Sequence, residues 1–335
     1  MAVFRLLNIK TMKLSKILLS LLLHSPLISG AQIKPASQAN SPVIDFISDT
    51  QQPMMVEKLF LKANHNIKAT GILFSEIIKT NPQKVFMLGD IVSLGYSNHK
   101  WKKVDEFLKD CRQENTQVTG LLGNHDVMGR RKKGERNFVK RFPLNVRTGY
   151  VSVTDSVAVI LLNSNFSTLS VSDKKIQDDW YQKTLEMLDS SEAIKAVIVT
   201  CHHAPYSNSK VVGSSTQVQN NFVPAYLKSK KAKLFITGHS HNFEHFEISG
   251  KSFLVIGGGG GLHQPLNSSG NSIKDEAINY KPAFHYLSVK RVMNEIQVSS
   301  YYLKEDFASF ELGYSFETSN FKNQVQLPSL ATTVK

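Results

Sequence analysis

Five short apolar runs in this chain each break off into side chains that bind protons or metals. Residues 43–48 end in Ser48-Asp49-Thr50-Gln51, residues 85–88 in Gly89-Asp90, and residues 118–122 in Gly123-Asn124-His125-Asp126. Further on, residues 196–200 end in Cys201-His202-His203, and residues 234–237 in Gly238-His239-Ser240-His241. Gly, Asn and Asp are ordinary turn formers, so one such ending is simply a turn. Five are a constraint, because separate turns have no reason to share this chemistry. Burying a trio such as Asn124-His125-Asp126 without partners costs several kcal/mol.

Between the runs lie stretches of helical periodicity at residues 56–80, 101–111, 174–188 and 217–228, and a basic, helix-like stretch up to Phe142. Strands alternating with helices specify an α/β layer architecture, in which ligands collect beyond the carboxyl ends of the strands. Residues 150–163 read as two strands joined at Thr154-Asp155-Ser156. The strand-like stretches at 243–248, 253–256, 286–290 and 296–303 imply a sheet closing against the first layers. The polar tail, 317–335, is expected to fray.

The ordered set of endings resembles the calcineurin-like metallophosphoesterase superfamily, whose pattern is D-x-H, G-D, G-N-H-D/E, a His after a strand, and G-H-x-H. Its specificity lies in the order and the strand context, since G-D alone is common. The resemblance covers about residues 43–241. It implies an α/β fold, a two-sheet αββα sandwich with the site at the sheet edges, in a domain spanning residues 41–304.

It also implies two cations roughly 3.5–4 Å apart, which steady the entering and leaving oxygens and turn a bound water into hydroxide. Asp49, Gln51 and His241 are expected at one cation and Asn124, His202 and His239 at the other, with Asp90 bridging. Mixed imidazole and oxygen donors suit Mn, Fe, Zn or Co better than an all-oxygen cage for Mg or Ca. His125 is expected to act on the scissile bond, with Asp126 orienting its ring. Two positions depart from the family pattern. Gln51 stands where His is commoner, and Ser93 stands where the purple acid phosphatase branch has Tyr. His202 rather than His203 is taken as the ligand, because His-His-Ala-Pro then aligns with the family segment.

The implied activity is hydrolysis of phosphomonoester, phosphodiester or pyrophosphate bonds in an anionic phosphorylated substrate. The alternative is a non-catalytic envelope binding protein on a degenerate phosphoesterase scaffold. The segment 130–142 leaves the third motif, so Arg130 and Arg131 are placed over the substrate, with His203 beside them. The five glycines at 257–261 carry no following G-K-S/T, which excludes a P-loop and suggests a flexible loop near the site.

The chain has 335 residues and a formal charge of +13. From Met12, two lysines, a short apolar stretch and the small residues Ser29-Gly30-Ala31 form a signal-like leader, residues 1–31. Its removal takes away Arg5, Lys10, Lys13 and Lys16 and leaves +9. A periplasmic or secreted protein with no lasting membrane span is therefore expected. The basic charge suits anionic partners. Specific nucleic-acid binding is not indicated, because no RNP or zinc-knuckle motif and no aromatic platform accompany it. Cys111 and Cys201 are too few for a disulfide scaffold, although they could pair in an oxidising compartment.

Overall fold

Val, Ile, Leu and Phe dominate the runs singled out above, and each run becomes a strand with apolar neighbours on both faces. The computed structural model describes residues 43–267 and 272–318; the expected leader and nearly all of the polar tail lie outside the described residues. The chain opens with β1 (Ile44–Ile47), α1 (Asn66–Thr80), β2 (Lys84–Leu88), α2 (Lys102–Gln113) and β3 (Gln117–Leu121), then α3 (Asn124–Val127) and α4 (Arg131–Arg141). It continues through β4 (Tyr150–Thr154), β5 (Val157–Leu161), α5 (Val171–Ser190), β6 (Ala196–Thr200), α6 (Thr216–Asn221), α7 (Val223–Lys228) and β7 (Ala232–Thr237). The closing strands are β8 (Phe243–Ile248), β9 (Lys251–Ile256), β10 (His285–Val292), β11 (Glu295–Leu303) and β12 (Phe310–Glu317).

These strands form two six-stranded mixed sheets, ordered β12-β11-β10-β1-β2-β3 and β4-β5-β6-β7-β9-β8. β1, β2 and β3 run parallel, as do β5, β6, β7 and β9. The period-2 alternation of each strand distributes its side chains between two cores. Ile44 and Phe46, Phe86 and Leu88, and Val157, Val159 and Leu161 point into the layer between the sheets. Ile47, Val85 and Met87 face α1 and α2, while Ala158, Ile160, Val197 and Val199 face α5 and α7. Burial on both faces explains why the runs read as continuously apolar. The result is the expected two-sheet sandwich flanked by helices.

Two expectations need correction. The helical periodicity beginning at 56 yields only a 3-10 turn at Glu57–Leu59, and α1 starts at Asn66. Met55, Val56, Leu59 and Phe60 are exposed, so their spacing marks no core-facing stripe. The fold also continues past residue 304, because β12 pairs antiparallel with β11. β12 is an edge strand in which only Phe316 is buried, and Gly313 interrupts it, so its sequence signal is faint. Cys111 and Cys201 are both free and buried, in different helix-side cores.

One buried charge stands out in β1. Asp45 shares the helix-facing side with Ile47; Thr80 donates to its Oδ2 at 3.4 Å, while Oδ1 has no partner. Burial pushes its carboxyl from 3.8 up to about 7. The folded protein therefore holds a proton that the unfolded chain has lost, and stability falls as pH rises from about 4 through 7. Asp45→Asn is expected to stabilise by about 2 kcal/mol near pH 8 and by much less near pH 4, read from urea unfolding at both values. An equal effect at both pH values would exclude this account.

Candidate active site

The carboxyl ends of β1, β2, β3, β6 and β7 lie together, and the loops leaving them are hydrogen-bonded to one another. Asp49 N donates to Gly89 O at 3.1 Å, Gln51 N to Asp90 O at 3.0 Å, and Gly238 N to His202 O at 3.0 Å. His239 N donates to the Asp49 carboxylate at 3.0 Å. Asp49, Asp90 and His239 all take left-handed backbone conformations, with φ of 59°, 46° and 67°. Such conformations are unfavourable for non-glycine residues and persist where surrounding contacts fix them. Three of the expected ligands thus sit on backbone that the sheet edge holds in place.

The donor atoms converge in two groups. His202 Nε2 lies 3.1 Å from Asn124 Oδ1 and 3.3 Å from Asp90 Oδ2. His241 Nε2 lies 3.4 Å from Asp49 Oδ1, and Asp49, Asp90 and His241 offer donor atoms all within 4.8 Å of one another. His202, His203 and His239 form a second cluster of the same span, so His203 offers a donor atom beside the expected ligand His202. Donor pairs at these separations match the edges of a coordination shell with bonds of ~2.1 Å. Asp90 belongs to both groups.

Ring orientation makes the fit specific. His202 Nδ1 lies 3.0 Å from Leu88 O and His241 Nδ1 2.8 Å from Leu262 O. A ring that donates Nδ1–H to a carbonyl presents its Nε2 lone pair to the site. For His202 that nitrogen meets two oxygen acceptors, Asn124 Oδ1 and Asp90 Oδ2, an arrangement satisfied by a shared cation or by a proton on the ring. Gln51 behaves similarly. When its amide nitrogen donates to the carbonyls of Asp90 (2.9 Å) and Asp49 (3.0 Å), its oxygen faces His241 Nε2 at 3.1 Å. The residues present fit a pair of transition-metal cations.

Titration shifts follow the same crowding. Burial opposes the charge of His202, yet Asp90 and then Asp49 push the imidazole up to about 9. Asp90 is fully buried, which works against ionisation, but His202, His125 and His239 hold it well below the ordinary carboxylate range. Burial and the neighbouring His202 depress His203 to about 3 and hold His239 well below the ordinary imidazole range.

His125 lines the same cleft as Asp90, Asn124, His239 and His241. Its backbone N donates to Asp90 Oδ1 at 2.7 Å, and its Nδ1 lies 3.3 Å from Ser93 O. The expectation that Asp126 orients this ring is corrected by the structure. The Asp126 carboxylate accepts from the backbone N–H groups of Ile91 and Val92 at 3.1 Å and of Gly123 at 2.9 Å. Asp126 therefore ties the loop after β2 to the loop after β3. Two carboxylates face His125 Nε2, Glu57 at 3.7 Å and Asp90 at 3.8 Å. Sequence reasoning missed Glu57 because it lies in an irregular segment outside the five motifs.

Of the expected substrate contacts, the two arginines do not line the cleft, while His203 packs against the donor groups. Arg131 donates to Thr168 O at 3.0 Å, and the Arg130 guanidinium lies 5.7 Å from the Tyr96 ring centre. His203 has its Nδ1 2.8 Å from Ser164 Oγ, and its ring packs on His239 with centres 4.4 Å apart. The glycine run departs from expectation in another way. It is buried and pinned, with Gly259 N and Gly261 N donating at 2.9 Å to the carbonyls of Ser48 and Asp49. A Cβ on Gly261 would lie 2.5 Å from the His241 ring. Gly261→Ala is therefore expected to displace that ligand and weaken metal affinity roughly 10- to 100-fold. Metal content after dialysis against graded chelator checks this; unchanged retention would contradict it.

Comparison with known proteins places these features in a family. The profile for calcineurin-like phosphoesterases matches residues 42–243, which include all five strand-end motifs. Comparison with curated proteins gave no significant match. Among solved structures, a purple acid phosphatase from yellow lupin (Lupinus luteus) seeds aligns with a TM-score of 0.60 and 14% identity, covering 84% of this chain and 54% of that one. The present chain thus spans about half the length of that relative. GAP50, described as the anchor in the inner membrane complex of Plasmodium, aligns with a TM-score of 0.60 and 14% identity over 83% of this chain and 88% of its own. A dimetal phosphatase from Danio rerio aligns with a TM-score of 0.52 and 11% identity, covering 83% and 99%. At these identities the likeness is one of fold. The chain belongs to the calcineurin-like phosphoesterase family, a family of metal-dependent phosphoester hydrolases.

Proposed function

We propose that this protein is an exported, metal-dependent phosphoesterase hydrolysing phosphomonoester, phosphodiester or pyrophosphate bonds. The observation that carries the reading is the position of Asp90, whose carboxylate belongs to two converging groups of donor atoms. Asp49, Gln51 and His241 would hold one cation, and Asn124, His202 and His239 the other, with Asp90 common to both. When bound, such a pair supplies Lewis acidity and lowers the pKa of water.

The remaining groups act on the ester. The His125 ring faces the cleft between Glu57 and Asp90, where it stabilises the transferring phosphoryl group or delivers a proton to the leaving oxygen. Glu57 faces the same ring nitrogen. Ser93 carries no phenol, so tyrosinate-to-metal colour is not expected. Export rests on the signal-like composition of residues 12–31, and N-terminal sequencing of exported material tests it.

A second reading, a binding protein on this scaffold, draws support from Gln51 in place of His and from the likeness to GAP50, which is described as an anchor. Metal analysis separates the two. Two equivalents after reconstitution support the enzyme, and none supports the binder. Asp90→Asn is expected to lose metal and nearly all activity. His125→Ala is expected to keep metal while kcat falls roughly 100- to 10,000-fold. Full activity of Asp90→Asn would rule out the mechanism.

A further inference from the structure

The cleft that contains the donor groups has a second wall of different character. It encloses about 550 Å³ and is lined by Asp90, Asn124, His125, His239 and His241. Val56, Phe60, Leu61, Val211, Val212 and Pro265 line it as well. Phe60 is 82% exposed, Val56 55% and Val211 53%. Large apolar side chains clustered at the mouth of a binding site mark a surface that something else covers.

Both segments of this wall are built without a ligand. Ser209 bridges to Leu266, Lys210 N donates to Pro265 O at 2.9 Å, and Ser209 Oγ donates to Gln264 Oε1 at 2.6 Å. In the other segment, the Glu57 carboxylate caps Met54 N, and Leu61 N closes back on Glu57 O at 2.9 Å. The polar groups on this side are few and largely committed. Gln264 accepts from Ser209, and Glu57 serves Met54 and faces His125. Lys210 adds a cation at the rim, which complements an anionic ester. This wall offers a sugar or a nucleobase few free partners, whereas hydrocarbon laid against it is removed from water.

We infer that this wall is the subsite for the leaving alcohol, and that the alcohol is apolar, an alkyl or aryl group rather than a sugar or nucleoside. The inference rests on the phosphoesterase reading and specifies its substrate class. The phosphoryl group lies against the donor atoms and His125, while the hydrocarbon covers Phe60, Val56 and Val211. The area so removed from water makes affinity depend on chain length.

Calorimetric titration of the metal-loaded full chain with inorganic phosphate and with n-alkylphosphonates from ethyl to octyl tests this. Kd is expected to fall roughly 3-fold per added methylene until the cleft is filled. The double variant Phe60→Ser/Val211→Ser flattens the series while leaving phosphate affinity unchanged. Met55→Ser/Leu59→Ser, at exposed positions outside the cleft, leaves the series intact. A flat series in the parent protein overturns the subsite while leaving the phosphoesterase reading in place. An equal loss from Met55→Ser/Leu59→Ser also overturns it, because the apolar rim would then be adsorbing amphiphiles generally. Failure of inorganic phosphate itself to bind overturns the phosphoesterase reading and the subsite with it.

Discussion

Asp90 is a fully buried carboxylate in a left-handed backbone conformation, and both of its oxygens are engaged: Oδ1 accepts from His125 N and Oδ2 faces His202 Nε2. Its own carbonyl accepts from Gln51 N, so it also fixes the loop after β1. A buried charge survives only where opposite charge and hydrogen bonds replace water. Here the replacement comes from His125 after β3 and from His202 and His239 in the loops after β6 and β7, so the site joins the edges of both sheets. A Cβ on Gly123 would lie 2.2 Å from Asp90 Oδ1, which leaves room there for no other residue. The close packing of Asn124 against His202 follows from that approach.

Asp126 supports this arrangement from behind. It is wholly buried, and the burial, reinforced by neighbouring Asp90, pushes its carboxyl up to about 7 despite three backbone donors. Two carboxylates close together in a dry setting cannot both ionise freely. Asp90 ionises because imidazoles face it, and Asp126 carries the penalty while holding the loops that present Asp90 and Asn124. The division of roles comes from the partners of each carboxylate, not from residue type.

What the sequence made legible was whatever lies at regular strand ends. The parallel strands bring Asp49, Asp90, Asn124, His202, His239 and His241 to one edge, so motif order alone indicated their convergence. The role of Asp126 was misread because adjacency to His125 in sequence is not adjacency in space; on a helical turn, residues i and i+1 do not face each other. Glu57 was invisible because it reaches His125 from a short 3-10 turn with no periodic partner. β12 was missed because an edge strand with one buried aromatic has little alternation to display. The glycine run was placed near the site, but its buried hydrogen bonds hold it to the loop after β1 where composition alone suggested mobility.

The basic charge acts on this architecture at a distance. Arg131 is held by Thr168 and Arg130 lies over Tyr96, so the cations of α4 attract an anion through their field rather than by contact. That attraction is screened within a Debye length of about 8 Å at physiological salt, whereas charges inside the cleft are screened far less. Asp90 and His125 are themselves buried, which lowers the local dielectric and strengthens each short-range interaction in the cleft. Encounter and chemistry therefore draw on different charges, and salt should act mainly on encounter.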